Sequence, residues 1–125
     1  MVKEILLVGL GGGAGSILRY LASRATAKAG VVAFPAATLA VNVLGCFLIG
    51  VLVGASLRTG WMDAPMKALL VTGFCGGFTT FSAFSLENVQ MYQAGSYATL
   101  ALYVAASVAV GFAAVWAGMK LASGY

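Results

Sequence analysis

Leu70-Val71-Thr72-Gly73-Phe74-Cys75-Gly76-Gly77-Phe78-Thr79-Thr80-Phe81-Ser82-Ala83-Phe84-Ser85-Leu86-Glu87 is the stretch on which the fold turns. Its first seventeen residues lie in a run of 19, Ala68 to Leu86, that carries no Asp, Glu, Lys or Arg. A helix of about 20 apolar residues crosses the roughly 30 Å hydrocarbon layer of a bilayer. Yet paired glycines followed by β-branched and hydroxyl residues weaken a helix in its middle, and a break is expected between Gly76 and Ser82. Irregular backbone persists at membrane depth only where protein or an aqueous cavity satisfies its polar groups, so a break there is a candidate ion site made of carbonyls and amides. The other reading is a continuous helix whose Thr and Ser hydroxyls bond back to carbonyls one turn earlier.

Outward from this stretch, two longer charge-free runs follow the same logic: Ala29 to Leu57, 29 residues, and Asn88 to Met119, 32 residues. Of the 125 residues, 62% are hydrophobic and 8% charged, with a mean hydropathy of +1.00. Soluble domains are roughly 45–50% apolar and about 25% charged. A chain this short buries too small a share of its surface to hide so many apolar groups from water. The expectation is an all-α integral membrane protein with a single four-span domain over residues 1–125, its helices at about 5–23, 35–57, 66–90 and 97–119. No small-residue cleavage site ends a charge-free run before Arg19, so the apolar start is expected to stay as a span rather than act as a signal peptide.

The first span is the least apolar and holds Gly9, Gly11, Gly12, Gly13 and Gly15 ahead of Arg19. Gly9 with Gly13, or Gly11 with Gly15, are spaced to let helix backbones touch in lipid. Gly9 to Ala14 also fits the dinucleotide fingerprint G-x-G-x-x-G/A, but no acid lies between Glu4 and Asp63 to hold a ribose, and close packing is the better account. Pro35 falls in the first turn of the second span, where its missing N–H costs nothing. Arg58 ends that span, Asp63 before Pro65 looks like the cap of the third, and Lys120 closes the fourth. Such short loops leave no room for a soluble domain.

Seven Lys and Arg against three Asp and Glu give a net charge of +4. Scattered singly, they are membrane-flank anchors, and no nucleic-acid partner is expected. Lys3, Arg58, Lys67 and Lys120 lie on one side, Arg24, Lys28 and Arg19 towards the other. Four against three is almost no positive-inside bias. Either the chain inserts both ways round, which permits an antiparallel homodimer, or one orientation wins through effects the count misses. With no His, and with Cys46 and Cys75 inside apolar runs, the usual zinc and haem ligand sets are missing.

Phe74, Phe78 and Phe81 recur at helical spacing, with Phe84 one turn on. Such a stripe serves packing; alternatively, ring edges, which carry the positive end of the quadrupole, stabilise a small anion in a narrow passage without trapping it. Thr38, Asn42 and Cys46 share a face of the second span, and Tyr103, Ser107 and Gly111 one of the fourth. These neutral groups are either glue between helices or donors that replace part of an anion's hydration shell. Arg19 and Glu87 are the charges nearest the membrane interior, where charge suggests function. Arg19 is also able to snorkel to the interface.

Gly73-Phe74-Cys75-Gly76-Gly77 followed by Thr79-Thr80-Phe81-Ser82-Ala83-Phe84-Ser85 resembles the CrcB/Fluc family of fluoride channels. Two further signatures fall in order: Gly12-Gly13 with Gly15 and Arg19-Tyr20, then Thr38-Leu39 with Val41-Asn42 and Gly45. The resemblance covers essentially the whole chain. It implies a dual-topology antiparallel homodimer in the cell inner membrane, with a broken third helix and two pores that conduct fluoride passively and selectively. The carbonyls of Gly76 and Thr79 from both subunits match the ligands of a buried structural sodium ion. Phe81 and Phe84 match the pore-lining rings, Asn42 the asparagine that positions the ion, and Arg19 the vestibule arginine. Ser82, Thr38, Tyr103, Ser107 and Glu87 match positions along or near a polar track. Ala83 stands where the family commonly has a threonine, which removes one hydroxyl. Neutral HF crosses lipid from an acidic exterior and dissociates in a more neutral cytoplasm, so the accumulated anion needs only a passive route outward.

Two other classes compete. A small multidrug or metabolite transporter would carry a membrane-embedded acid in the first span, whereas Glu4 lies near the terminus. A packing subunit of a larger membrane complex would transport nothing when purified.

Overall fold

A computed structural model describes residues 1–28 and 34–124, which excludes the first residues of the charge-free run that begins at Ala29. Among the described residues all regular structure is helical. Four helical spans are long and apolar enough to cross a membrane: Val2–Ala27, Ala36–Thr59, Ala64–Gln93 and Tyr97–Ser123. The first lies in helix α1 (Val2–Lys28); the second is α2 (Ala36–Thr59). The third is made of α3 (Ala64–Lys67), a π-helical segment Ala68–Cys75, α4 (Gly76–Phe78) and α5 (Phe81–Gln93); the fourth is α6 (Tyr97–Ser123).

Helix ends follow from single residues. Pro35 takes the N-cap position, one residue ahead of the first turn the sequence places it in, and its carbonyl accepts the Leu39 N–H at 3.2 Å. Gly60, at φ 64°, closes α2 in the left-handed conformation that glycine adopts without penalty, and its N–H donates to the Ser56 carbonyl at 2.7 Å. Asp63 caps the third span as expected: its Oδ1 accepts the Met66 N–H at 2.9 Å. Lys120 stands 5.1 Å from the centre of the Trp116 ring in the last turns of α6.

Packing divides the helices into two pairs, and glycine sets both. In the α2–α6 pair, a Cβ on Gly54 would lie 2.6 Å from the Met119 carbonyl oxygen, and one on Gly118 would lie 2.9 Å from Val51 N. In the pair of α1 with the third span, a Cβ on Gly11 would meet the Leu69 carbonyl and Phe74 N, and one on Gly15 would meet the Phe74 carbonyl and Phe78 N. Gly9 and Gly13 face open space. The contact in lipid therefore uses one of the two glycine registers, because only small residues let backbones approach this closely. Wide π-helical turns carry the contact surface: Gly73, inside them, lies against Val8 and Gly11 of α1.

Among the described residues few hydrophobic side chains are buried; Val41, Ala68, Cys75 and Tyr103 are, whereas Leu6, Leu10, Phe112, Trp116 and Leu121 stand exposed. Helices apolar around most of their circumference belong in lipid or against other spans. With the four apolar spans, this surface makes the chain a multi-pass membrane protein.

Candidate functional site

The third span holds the site's backbone. Thr79 (φ −86°, ψ 163°) and Thr80 (φ −153°, ψ 121°) are extended between α4 and α5. Thr79 still bonds backwards: its N–H and its Oγ1 donate to the Cys75 carbonyl at 3.0 and 2.8 Å. Thr80 does not. Its N–H donates to Asn42 Oδ1 at 2.8 Å, and its carbonyl accepts Asn42 Nδ2 at 3.1 Å. One amide side chain on α2 thus satisfies both polar groups of a peptide residue that has left the helix. The Thr80 hydroxyl then caps α5 by accepting the Ala83 N–H at 3.1 Å, and it lies 3.2 Å from Ser82 Oγ.

The diversion has a consequence one residue away. In a continuous α-helix the Gly76 carbonyl would accept the Thr80 N–H; Asn42 has taken that donor. The next carbonyl, on Gly77, accepts Arg19 Nε at 3.1 Å and Ser16 Oγ at 3.4 Å from α1.

A cavity of about 450 Å³ opens against these residues. Gly76, Thr79 and Thr80 line it together with Asn42 from α2, Phe81 and Phe84 from α5, and Ser107 from α6, and none of its lining residues is charged. The Phe81 and Phe84 rings lie 5.8 Å apart at 40°, and Phe81 is 79% exposed. Phe84 in turn tilts against Tyr103 at 5.0 Å. Phe74 and Phe78 stack separately at 5.8 Å and 14°. The stripe of four rings therefore splits into two pairs, because extended Thr79 and Thr80 reset the helical phase between Phe78 and Phe81.

Of the other polar residues picked out in the sequence, Ser107 lines this cavity, whereas Thr38, Ser82, Glu87 and Tyr103 are not among its lining residues. Thr38 Oγ1 donates to Glu87 Oε1 at 2.7 Å. Tyr103 is 0% exposed, and its hydroxyl has no hydrogen-bond partner among the described residues; the same is true of Ser107 Oγ. Buried hydroxyls are normally bonded, so two orphans on one helix face ask for a ligand or water. Arg19 is not part of the cavity lining; it sits on the α1 side at Gly77. No group of three or more His, Cys, Asp and Glu side chains suited to a metal ion occurs among the described residues.

Three participants escape a reading of the sequence: Thr80 as the partner of Asn42, and Gly77 with Ser16 at Arg19. A sequence signal existed for the last, since Gly11, Gly15 and Arg19 recur at four-residue spacing on one face of α1.

The model of the family described as CrcB-like protein, Camphor Resistance (CrcB), matches residues 6–119. The chain is 53% identical over 121 residues to the fluoride-specific ion channel FluC of Azobacteroides pseudotrichonymphae, with 97% of each chain covered. It is 45% identical over 118 residues to the protein of that name from Rhizobium etli, covering 94% of each, and 46% identical over 122 residues to that from Chlorobaculum tepidum, covering 98% of this chain and 96% of the relative. A match from the first span to the last, at these identities, means that the chain belongs to the CrcB family.

Proposed function

We propose that this chain is a fluoride channel, and that it conducts the anion passively along the face where α2, the third span and α6 meet. Relatives named fluoride-specific ion channel support the ion. The observation that carries the mechanism is a pair of orphaned buried hydroxyls: Ser107, which lines a cavity without charge, and Tyr103, whose ring packs on Phe84 of that lining. An anion leaving water needs donors in place of its hydration shell, and neutral donors supply them without a counter-ion that would hold it. Asn42 spends one Nδ2–H and its oxygen on Thr80, which leaves the second N–H for the ion. Phe81 and Phe84 add ring edges with the sign that suits an anion. Ser82, Thr38 and Glu87 continue the polar track, and Arg19 holds positive charge near the vestibule.

The extended pair Thr79–Thr80 acts in this proposal as a functional break in the third span. It leaves the Gly76 carbonyl without its helical donor, and together with Thr79 that oxygen fits a hard monovalent cation. Two carbonyls from each of two chains would hold a sodium ion at the centre of an antiparallel dual-topology homodimer with two pores. A sodium ion held there would supply fixed positive charge between the two breaks. In the cell inner membrane such a dimer lets fluoride, accumulated by entry of HF, run outward without ATP.

The test removes the hydroxyls alone. Tyr103→Phe keeps the ring packed on Phe84, and Ser107→Ala keeps nearly all of the volume. Each is expected to slow fluoride efflux from liposomes at least tenfold. Parental rates in both would place the passage elsewhere.

A further inference from the structure

We propose that Arg19, helped by Ser16, is the C-terminal cap of the first half of the third span, and so a positioning residue for the ion passage that acts through the backbone. The proposal rests on the fluoride-channel reading only for its transport readout. A helix leaves its last carbonyls without partners. The run Ala64–Phe78 ends where Thr79 turns extended, and the Gly77 carbonyl, whose helical donor would be the Phe81 N–H, meets Arg19 Nε at 3.1 Å instead. Ser16 Oγ reaches the same oxygen at 3.4 Å. A cation at this end also opposes the negative pole of the helix dipole.

The approach is built in. A Cβ on Gly15 would lie 2.7 Å from Phe78 N, and one on Gly77 would collide with the Gly12 carbonyl. Only with bare backbone at both places does α1 come near enough for a mid-chain nitrogen to serve. Arg is suited to this because Nε sits three carbons from the main chain, which leaves both terminal nitrogens free to reach towards water. Lys has no donor at that point in its chain. Gln does: its amide nitrogen follows the same three carbons, without the charge.

Two substitutions therefore separate the cap from the charge. Amide hydrogen exchange over residues 76–82 of the purified protein, and fluoride efflux from liposomes, are measured for the parent, Arg19→Lys and Arg19→Gln. Arg19→Lys keeps the charge and loses the cap: exchange is expected to rise about tenfold and flux to fall about tenfold, at low and high salt alike. Arg19→Gln keeps exchange protection and loses less flux. Parental protection in Arg19→Lys, or lost protection in Arg19→Gln, overturns the proposal. If Arg19→Lys does not fold, Ser16→Ala decides, with exchange rising about threefold or the proposal failing. A parent that passes no fluoride refutes the channel reading, while the exchange data still decide the cap.

Discussion

Asn42→Asp changes one atom and separates two demands made on that side chain. The carboxylate keeps an oxygen for the Thr80 N–H, now bonded at 2.8 Å. Its second oxygen replaces the donor that meets the Thr80 carbonyl at 3.1 Å, so two acceptors face each other. An unpaired carbonyl there costs about 1–3 kcal/mol, a loss that a domain stable by roughly 5–15 kcal/mol survives. The effect on flux is larger. A unit charge about 4 Å from a passing anion repels it by about 4 kcal/mol at an effective dielectric constant of about 20. Each 1.36 kcal/mol is tenfold in rate, so fluoride efflux falls on the order of a thousandfold. The assay is a fluoride electrode trace from liposomes, with size-exclusion chromatography to show that the variant is folded and of parental size. Folded Asn42→Asp protein that releases fluoride within about threefold of the parental rate would refute the placement of Asn42 on the path.

Phe81→Ile and Phe84→Ile, made singly, keep apolar bulk and remove the quadrupole; flux is expected to drop at least tenfold with folding and parental particle size intact, and parental flux in both would reduce the rings to packing. Gly15→Ala forces a methyl against the Phe74 carbonyl and Phe78 N, so thermal unfolding should show a loss of about 1–3 kcal/mol, whereas Gly13→Ala, which meets open space, should stay within about 0.5 kcal/mol. A reporter on the C-terminus should signal from both sides of the membrane, and a one-sided signal rules out dual insertion. Replacing sodium by a much larger monovalent cation should weaken the proposed dimer or stop transport; unchanged particle size and flux after complete exchange would remove the proposed central sodium.

The spans are legible because lipid imposes a requirement that composition records directly: charge is absent from Ala68 to Leu86 and from Asn88 to Met119. Asp63 is legible for a similar reason, since a cap acts over three residues. Spacing cannot choose between glycine registers. Gly9 with Gly13 and Gly11 with Gly15 are equivalent in sequence, and only the position of the third span makes the second pair the contact. Partners far apart in the chain are equally hidden: Asn42 and Thr80 are 38 residues apart, Arg19 and Gly77 are 58. The π-helical turns of Ala68–Cys75 have no sequence signature, because Leu69 to Val71 would serve an α-helix as well. Polar identity nevertheless singled out side chains that the fold brings together. Asn42 and Ser107 line one cavity with Phe81 and Phe84, while Arg19, chosen for its depth, proves to face a carbonyl.

The central claim is that this chain alone gives fluoride a selective passive route. Purified protein is reconstituted into liposomes loaded with equal fluoride and chloride, and both anions are followed after a potassium ionophore removes the opposing voltage. The account predicts rapid loss of fluoride, proportional to its gradient and independent of any nucleotide, with chloride retained. Equal release of the two anions, or retention of both by folded protein, would contradict it.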